Sequence, residues 1–556
     1  MKSLFIDADK KYLLLPIADE GGWFLPADKT QYLDIYENGV CVEEYELFLS
    51  RTPRCWSCLY LERYAGEKLE IRLEGGEEDL IDLLEVSDEL KDHDTLYLEP
   101  ERPFVHFTPM HGYMNDPNGL LYYCGTYHYF AQLNPYGFGM GNTHWMHAVS
   151  QDLLHWRELP YALFPDESGR MYSGGGVVDT ENTSGMQCGR HSPIFLFYTA
   201  AGCKSRWSKG RYFEIAAAIS TDGGKSFRKY DNNPLLSHIS FLNRDPKVIW
   251  NPVEKEWIMM IYLESNRYHF FYSRNLLSWE PGQIVQADGC AECPDLFFVE
   301  LDGNPQNTKL VLWFCTDSYR IGHLEGRKFV PEIDLIEGPS HQIFSAFSAL
   351  ARSTGGYAAQ TFTGLPYGHT VQVSWLRMNT NQAPFVGCAS IPNELQLITT
   401  EDGPRLTVFP IKEIKNMYKE SFSFAGKGLE ELERIPDCYL SESMDMTFRF
   451  TVKPDKLIAI SVRGILMVYD PATGRLILPT GAFSVKTQKN LLELRVITDR
   501  CSMELYVSNG RFNTSINRML DPENTSVRPV LVDPGTGIDF EVHKLASMWE
   551  DNENNR

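Results

Sequence analysis

Short apolar runs recur along the whole chain, each cut by Gly, Asp, Asn or Pro. Runs of this length, alternating with polar residues or continuous between turns, predict strands rather than helices. In residues 1–100 they are YLLLPIA, YLDIYENG, EEYELFLS, SCLYLERY and KLEIRLEGG, which predict a small β-sandwich-like module. Pro100, Glu101, Arg102 and Pro103 mark its end. Residues 103–410 continue with LLYYCGTYHYFAQ, IFLFYTA, WIMMIYL, HFFYS, LVLWFC and TVQVSWL, and show few helical periods. The pattern changes at PIKEIKNMY. There Ile411, Ile414, Met417 and Tyr418 fall on one helical face, predicting a linker helix within 411–425. From 426 to 548, MDMTFRFTV, KLIAISVRG, ILMVYD, LLELRVITD and CSMELYVSNG predict a C-terminal β-sandwich. The tail DNENNR is expected to fray.

A faint repeat runs through the middle unit: HAVSQDLLHW, AAISTDGGKSF and FYSRNLLSW. Each joins a strand to Ser150, Ser220 or Ser273, then an Asp or Asn turn, then an aromatic that can fold back on the strand. Ser-x-Asp turns occur in any antiparallel sheet. Three copies in one all-β region point instead to the blades of a propeller.

At 556 residues the chain exceeds one hydrophobic core and predicts several domains. Its formal charge of −22 opposes binding to nucleic acid or anionic lipid. A neutral or cationic ligand suits it better, and aromatic residues at 13% suit sugar rings as well as ordinary β-rich cores. No stretch is long and apolar enough to span a membrane; ISVRGILMVY is broken by Arg463. Asp7, Asp9, Lys10 and Lys11 precede the first apolar run and Pro16 interrupts it, so no secretory signal is read there and a cytoplasmic location is expected. The sequons at Asn182, Asn513 and Asn524 are then incidental. Two Cys-x-x-Cys pairs, Cys55/Cys58 and Cys290/Cys293, lie far apart without His partners and read as buried thiols rather than zinc ligands. His144 and His147 stand at i and i+3 of a strand, on opposite faces, which disfavours a shared metal.

Three segments place an acid beside a conformational constraint. Asp116 lies in HGYMNDPNGLLYY, Asp245 in NRDPKVIW and Glu292 in CAECPDLFFV. Each is expected in a turn that precedes or begins an apolar strand, and the inner strands of a propeller would bring the turns to one channel mouth. Converging carboxylates suit glycoside hydrolysis. One attacks the anomeric carbon while ionised, and another donates a proton to the leaving oxygen. Burial and mutual repulsion separate their pKa values. The rival readings are plain turn residues, or ligands of a hard cation. No D-x-[DN]-x-[DN]-G loop is present, so neither metal nor cofactor is expected.

MNDPNGL followed in order by RDP and ECPD resembles glycoside hydrolase family 32, which holds invertases, levanases, inulinases and fructosyltransferases. HFTPMHGYMNDPNG, YFAQLNP, HWMHAVSQDLLHW, SGGGVVD, ENTSG, YAAQTF and LRVITDRCSMELYVSNG extend the resemblance over about residues 103–545. It implies an all-β protein: a five-bladed β-propeller followed by a C-terminal β-sandwich, here with an extra N-terminal β module. It implies Asp116 as nucleophile, Glu292 as general acid and base, and Asp245 as transition-state stabiliser. Arg244 would support the acids. Asn115, Gln132 and Ser173 match positions that hold fructose, and Trp145 and Trp375 match aromatic positions in or near the pocket. Met140 stands where the family usually has Trp, Tyr172 where it has Phe, Met146 where it has Gly, and Gly355-Gly356-Tyr357-Ala358 where it has Asp-Phe-Tyr-Ala. These changes keep the trio and reshape the pocket around it.

The function so implied is retaining release of terminal β-fructosyl units from sucrose, fructo-oligosaccharides or fructans. A sugar acceptor instead of water would make the enzyme a transfructosylase. A non-catalytic sugar-binding protein is a further alternative, disfavoured by the intact acids, and an arabinan-type propeller hydrolase would invert. Carboxyl separation discriminates, at ~5–5.5 Å for retention and ~6.5–9.5 Å for inversion. The partner expected is a small fructoside. The oligomeric state, a homo-oligomer included, stays open.

Overall fold

A computed structural model describes residues 2–18, 30–338 and 355–550, except 367, 381, 488 and 532–535. The tail 551–556 lies outside the described residues. Among the described residues the chain is built from strands and short 3-10 turns.

All five segments expected in the N-terminal module are strands, and Lys2–Asp7 and Glu85–Ser87 join them. Lys2–Asp7, Lys68–Glu74, Gln31–Glu37 and Val40–Leu47 form one sheet; Cys55–Tyr60, Tyr12–Ile17 and Glu85–Ser87 form another. Strict alternation in KLEIRLE sends Leu69, Ile71 and Leu73 inward and the charged residues outward. They meet Leu13, Leu15, Leu33, Ile35 and Leu47 in a shared core.

Three antiparallel four-strand meanders follow, beginning with Gly112–Tyr123, Arg170–Val178 and Arg244–Asn251. A nine-stranded sheet then holds a fourth meander, Asp295–Ile336, bridged by one parallel pairing, Leu301 with Leu397, to the strands Gly356–Thr361, Val371–Leu376, Asn393–Thr400 and Gly403–Pro410. The leading strands Gly112–Tyr123, Arg170–Val178, Arg244–Asn251, Asp295–Leu301 and Gly356–Thr361 pack each against the next, and the last returns to the first. The glycine run in SGGGVV makes this approach feasible. A Cβ on Gly176 would lie 2.7 Å from the Gly119 carbonyl oxygen, and one on Gly175 3.1 Å from that of Pro246.

The Ser-turn repeat is a real structural unit. Ser150, Ser220 and Ser273 each end the third strand of a meander and hydrogen bond to Asp152, Asp222 and Asn275 at 3.0, 2.7 and 3.2 Å. In two copies the indole N–H of Trp156 or Trp279 folds back to the carbonyl of Leu153 or Leu276, both at 3.0 Å.

The expected linker helix is only a 3-10 turn, Lys412–Met417, and the chain from Tyr418 to Gly428 is a strand. Ile411, Ile414 and Met417 are buried as the helical face required. The following residues extend because the strand Gly537–Leu545 offers them an antiparallel edge. They complete a six-stranded sheet that packs on a five-stranded one around Met446, Phe448, Ile460, Val496 and Leu505. His106, buried at the start of the middle unit, bonds Asp499 at 2.8 Å and Glu504 at 2.9 Å and ties it to the last sandwich. Burial opposes its charge, yet the two carboxylates raise its pKa to about 10.

Candidate active site

Asp116 and Asp245 stand on inner strands, and Glu292 lies in a turn that precedes one, as expected for it. Asp116 lies within Gly112–Tyr123, where pairing to the neighbouring strand shifts between Met114 and Pro117. A proline cannot donate to a ladder, so MNDPNG bulges and re-aims the acid. Asp245 is the second residue of Arg244–Asn251, with φ +60° and a shifted register between Arg244 and Lys247. Glu292 occupies the loop entering Asp295–Leu301, beside Cys293 at φ +51°. Left-handed backbone at non-glycine residues is disfavoured, and both instances sit next to the chemistry.

The side chains converge. Ser173 donates to Asp116 Oδ2 at 2.7 Å, and Gln132 Nε2 reaches the same oxygen at 3.3 Å. Asn115 Nδ2 donates to Gln132 Oε1 at 2.9 Å. The Cys293 thiol contacts Asp116 Oδ2 at 3.4 Å, while its backbone N–H donates to Asp245 Oδ2 at 2.9 Å. Thr199 Oγ1 receives the Asp245 N–H at 2.9 Å. Arg244 bonds Glu292 Oε2 at 2.6 and 3.1 Å, lies 3.5 Å from Asp245 and stacks on Tyr262. Tyr357 donates to the other Glu292 oxygen at 2.8 Å. One guanidinium therefore bridges two of the acids, and one cysteine bridges Asp116 and Asp245.

Burial pushes the Asp116 carboxyl up to about 6, helped by repulsion from Glu292 and opposed by bonds from Ser173, Cys293 and Asn115. Asp245 is likewise raised, by burial first, against the pull of Arg244. The Cys293 thiol is driven far up by burial and the neighbouring acids, so it stays protonated as a donor. Burial opposes the charge on Arg244, but Asp245 and Glu292 more than offset this. The Asp245 side chain is 3% exposed and that of Glu292 is 35% exposed.

The other expected residues divide. Asn115, Gln132, Ser173 and Arg244 touch one another or the trio, as above. Tyr172 precedes Ser173 and packs edge-on against Phe213 at 5.7 Å. Trp375 stands edge-on to Tyr113 and Tyr357, at 6.1 and 6.2 Å. Met140 is half-buried against the apolar cluster that also holds Cys293 and Tyr357. Trp145, expected in or near the pocket, is fully buried beside Phe130 and Gly119, and its N–H donates to the Tyr172 carbonyl at 3.2 Å. It backs the strand that carries Tyr172. His144 stacks on Tyr45, and His147 pairs with His128 at 3.0 Å, so both are packing residues.

Sequence reasoning missed the contacts of Tyr357 and Cys293. Both lay inside recognised segments, YAAQTF and ECPD, but nothing local says where a phenol or thiol points. It also missed Lys247. That ammonium is buried with Asp295 at 2.7 Å and bonds the Thr361 carbonyl at 2.7 Å, tying three inner strands below the acids.

Carboxylates gathered on neighbouring inner strands of an all-β protein are the groups that glycoside hydrolysis uses. Comparison with known proteins narrows the class. The family model "Glycosyl hydrolases family 32 N-terminal domain" matches residues 106–410. A levanase of Bacillus subtilis (strain 168) is 30% identical over 509 residues, covering 82% of this chain and 72% of its own. An extracellular exo-inulinase of Aspergillus niger is 27% identical over 540 residues, covering 82% and 96%. The crystal structure of exo-inulinase from Aspergillus awamori superposes with a TM-score of 0.69 at 23% identity, over 82% of this chain and all of the other, a likeness of fold. The chain belongs to glycoside hydrolase family 32, and it is a fructosidase hydrolase.

Proposed function

We propose that this enzyme releases terminal β-fructosyl units from sucrose and short fructo-oligosaccharides, with retention, through a fructosyl ester on Asp116. We read the ring of leading strands as the inner walls of five propeller blades, with Asn115, Gln132 and Ser173 holding the fructose unit at its mouth.

The mechanism follows from the groups in place. Asp116, ionised above about pH 6, attacks the anomeric carbon as Glu292 donates its proton to the glycosidic oxygen. The glucosyl or fructosyl alcohol leaves. Glu292, now a carboxylate held by Tyr357 and Arg244, takes a proton from water, and that water cleaves the ester. Asp245, oriented by the Cys293 N–H, faces the sugar hydroxyls as positive charge develops on the ring. Trp375 and Tyr172 wall the pocket.

The observation that carries this reading is the shared environment of the acids: Asp116 is the buried, hydrogen-bonded one, and Glu292 is the one open to solvent. The test is early-time NMR of the released sugar on sucrose and kestose, with inulin, levan and sucrose phosphate alongside. Retention produces β-fructofuranose first, and Asp116→Ala produces nothing. First appearance of the α anomer, or turnover by Asp116→Ala, overturns the mechanism. Kestose-type products at high sucrose would move the enzyme to the transferase reading.

A further inference from the structure

The N-terminal module precedes the residues matched by the family model, and its placement is specific. The leading strands all start at the mouth that carries the acids, because Asp116, Ser173, Asp245 and Tyr357 lie near their beginnings. Antiparallel continuation then returns the chain to that same mouth several times, among them at 135–143, 164–169, 202–212 and 382–384. The module grips these four connections.

At 135–143, Asn142 clamps the Glu46 backbone with bonds of 2.8 and 2.6 Å, Tyr45 packs on Tyr136 at 4.6 Å, and Arg54 stacks on Phe138 at 3.9 Å. At 164–169, Arg63 covers the Phe164 ring at 3.7 Å. At 202–212, Arg206 is held by Asp34, Glu44 and Glu74 at 2.8, 3.0 and 2.6 Å. At 382–384, Arg54 donates to the Ala383 carbonyl at 2.8 Å. The last link runs toward the acids. Glu46 binds Arg170 at 2.8 Å, and the Arg170 charge acts on the Tyr172 hydroxyl, one residue from the serine that donates to Asp116.

We propose that this module is a built-in wall of the catalytic mouth, which holds Arg170 and Tyr172 in place and limits the leaving group to a short saccharide. The inference rests on the fructosidase reading above and adds its substrate range. A mouth lined only by propeller loops is open on that side, whereas here a folded sandwich stands on them, its core continuous with Tyr136, Tyr357 and Trp375. A disaccharide or trisaccharide leaving group ends within the mouth. A polymer must pass the wall and loses contacts or meets it.

The full-length enzyme tests this with a chain-length series: sucrose, kestose, nystose and inulin, compared per non-reducing end. The wild type is expected to lose about tenfold or more in kcat/KM between kestose and inulin. Glu46→Gln combined with Arg206→Ala loosens the wall. It is expected to shrink that ratio at least about threefold, through KM rather than kcat, while Glu46→Asp retains the wild-type ratio. Hydrogen exchange over 31–47 reports whether the module has loosened. A flat wild-type series overturns the proposal, as does an unchanged ratio in a folded variant whose module exchanges faster. If the double variant does not fold, the wild-type series alone decides. Failure to cleave any fructoside would instead sink the fructosidase reading.

Discussion

Replacing Asp116 by Asn should abolish turnover and yet stabilise the protein, and the sign follows from its environment. The carboxyl titrates at about 6 in the fold against 3.8 as a free side chain, because burial and Glu292 penalise its charge. A difference of ~2 units corresponds to about 3 kcal/mol working against the folded state once the acid is ionised. The neutral amide removes that penalty. It also weakens the bonds from Ser173 and Cys293, at about 1 kcal/mol. The net gain at pH 7.5 is then about 2 kcal/mol, or roughly 3 °C in the melting transition of the propeller. The gain must depend on pH. For an acid raised on folding, the penalty is absent below pH 3.8, where both states are protonated, and complete above about 6. Scanning calorimetry of wild type and Asp116→Asn from pH 4 to 8, following the propeller transition because several domains melt in one chain, makes the comparison. A difference in melting temperature that is flat across this range, or a variant less stable at pH 7.5, refutes the account of the site electrostatics.

Three further outcomes are expected. In the wild type, kcat/KM should fall with unit slope below about pH 6, because the nucleophile must be ionised; a plateau continuing to pH 4.5 in a pH–rate profile would contradict this. Glu292→Gln should lose about 10³-fold in kcat on sucrose and recover part of it with azide, yielding β-fructosyl azide detectable by mass spectrometry and NMR. Lys247→Met strands the fully buried Asp295 charge, which should cost about 3–5 kcal/mol by thermal denaturation, and Lys247→Met with Asp295→Leu should recover most of it.

Some of this protein was written in short-range signals. Period-two alternation in KLEIRLE and apolar runs such as IFLFYTA depend on neighbours in the chain, so strands and sandwiches were legible without coordinates. The Ser-turn repeat was legible because a Ser or Asp side chain bonds backbone only a few residues away. The acids themselves could be named because MNDPNG, RDP and ECPD are local strings. What tertiary structure alone decided is everything that depends on strands far apart meeting. The 418–428 segment became a strand because Gly537–Leu545 offered a free edge. Trp145 is fully buried because Gly119 leaves room for its ring and the Tyr172 carbonyl accepts its N–H. The pKa of Asp116, the Cys293 and Tyr357 contacts and the bonds from Asp34, Glu44 and Glu46 to Arg206 and Asn142 arise from burial and from charges brought together across the fold. Such energies are properties of the assembled site, and no window of sequence carries them.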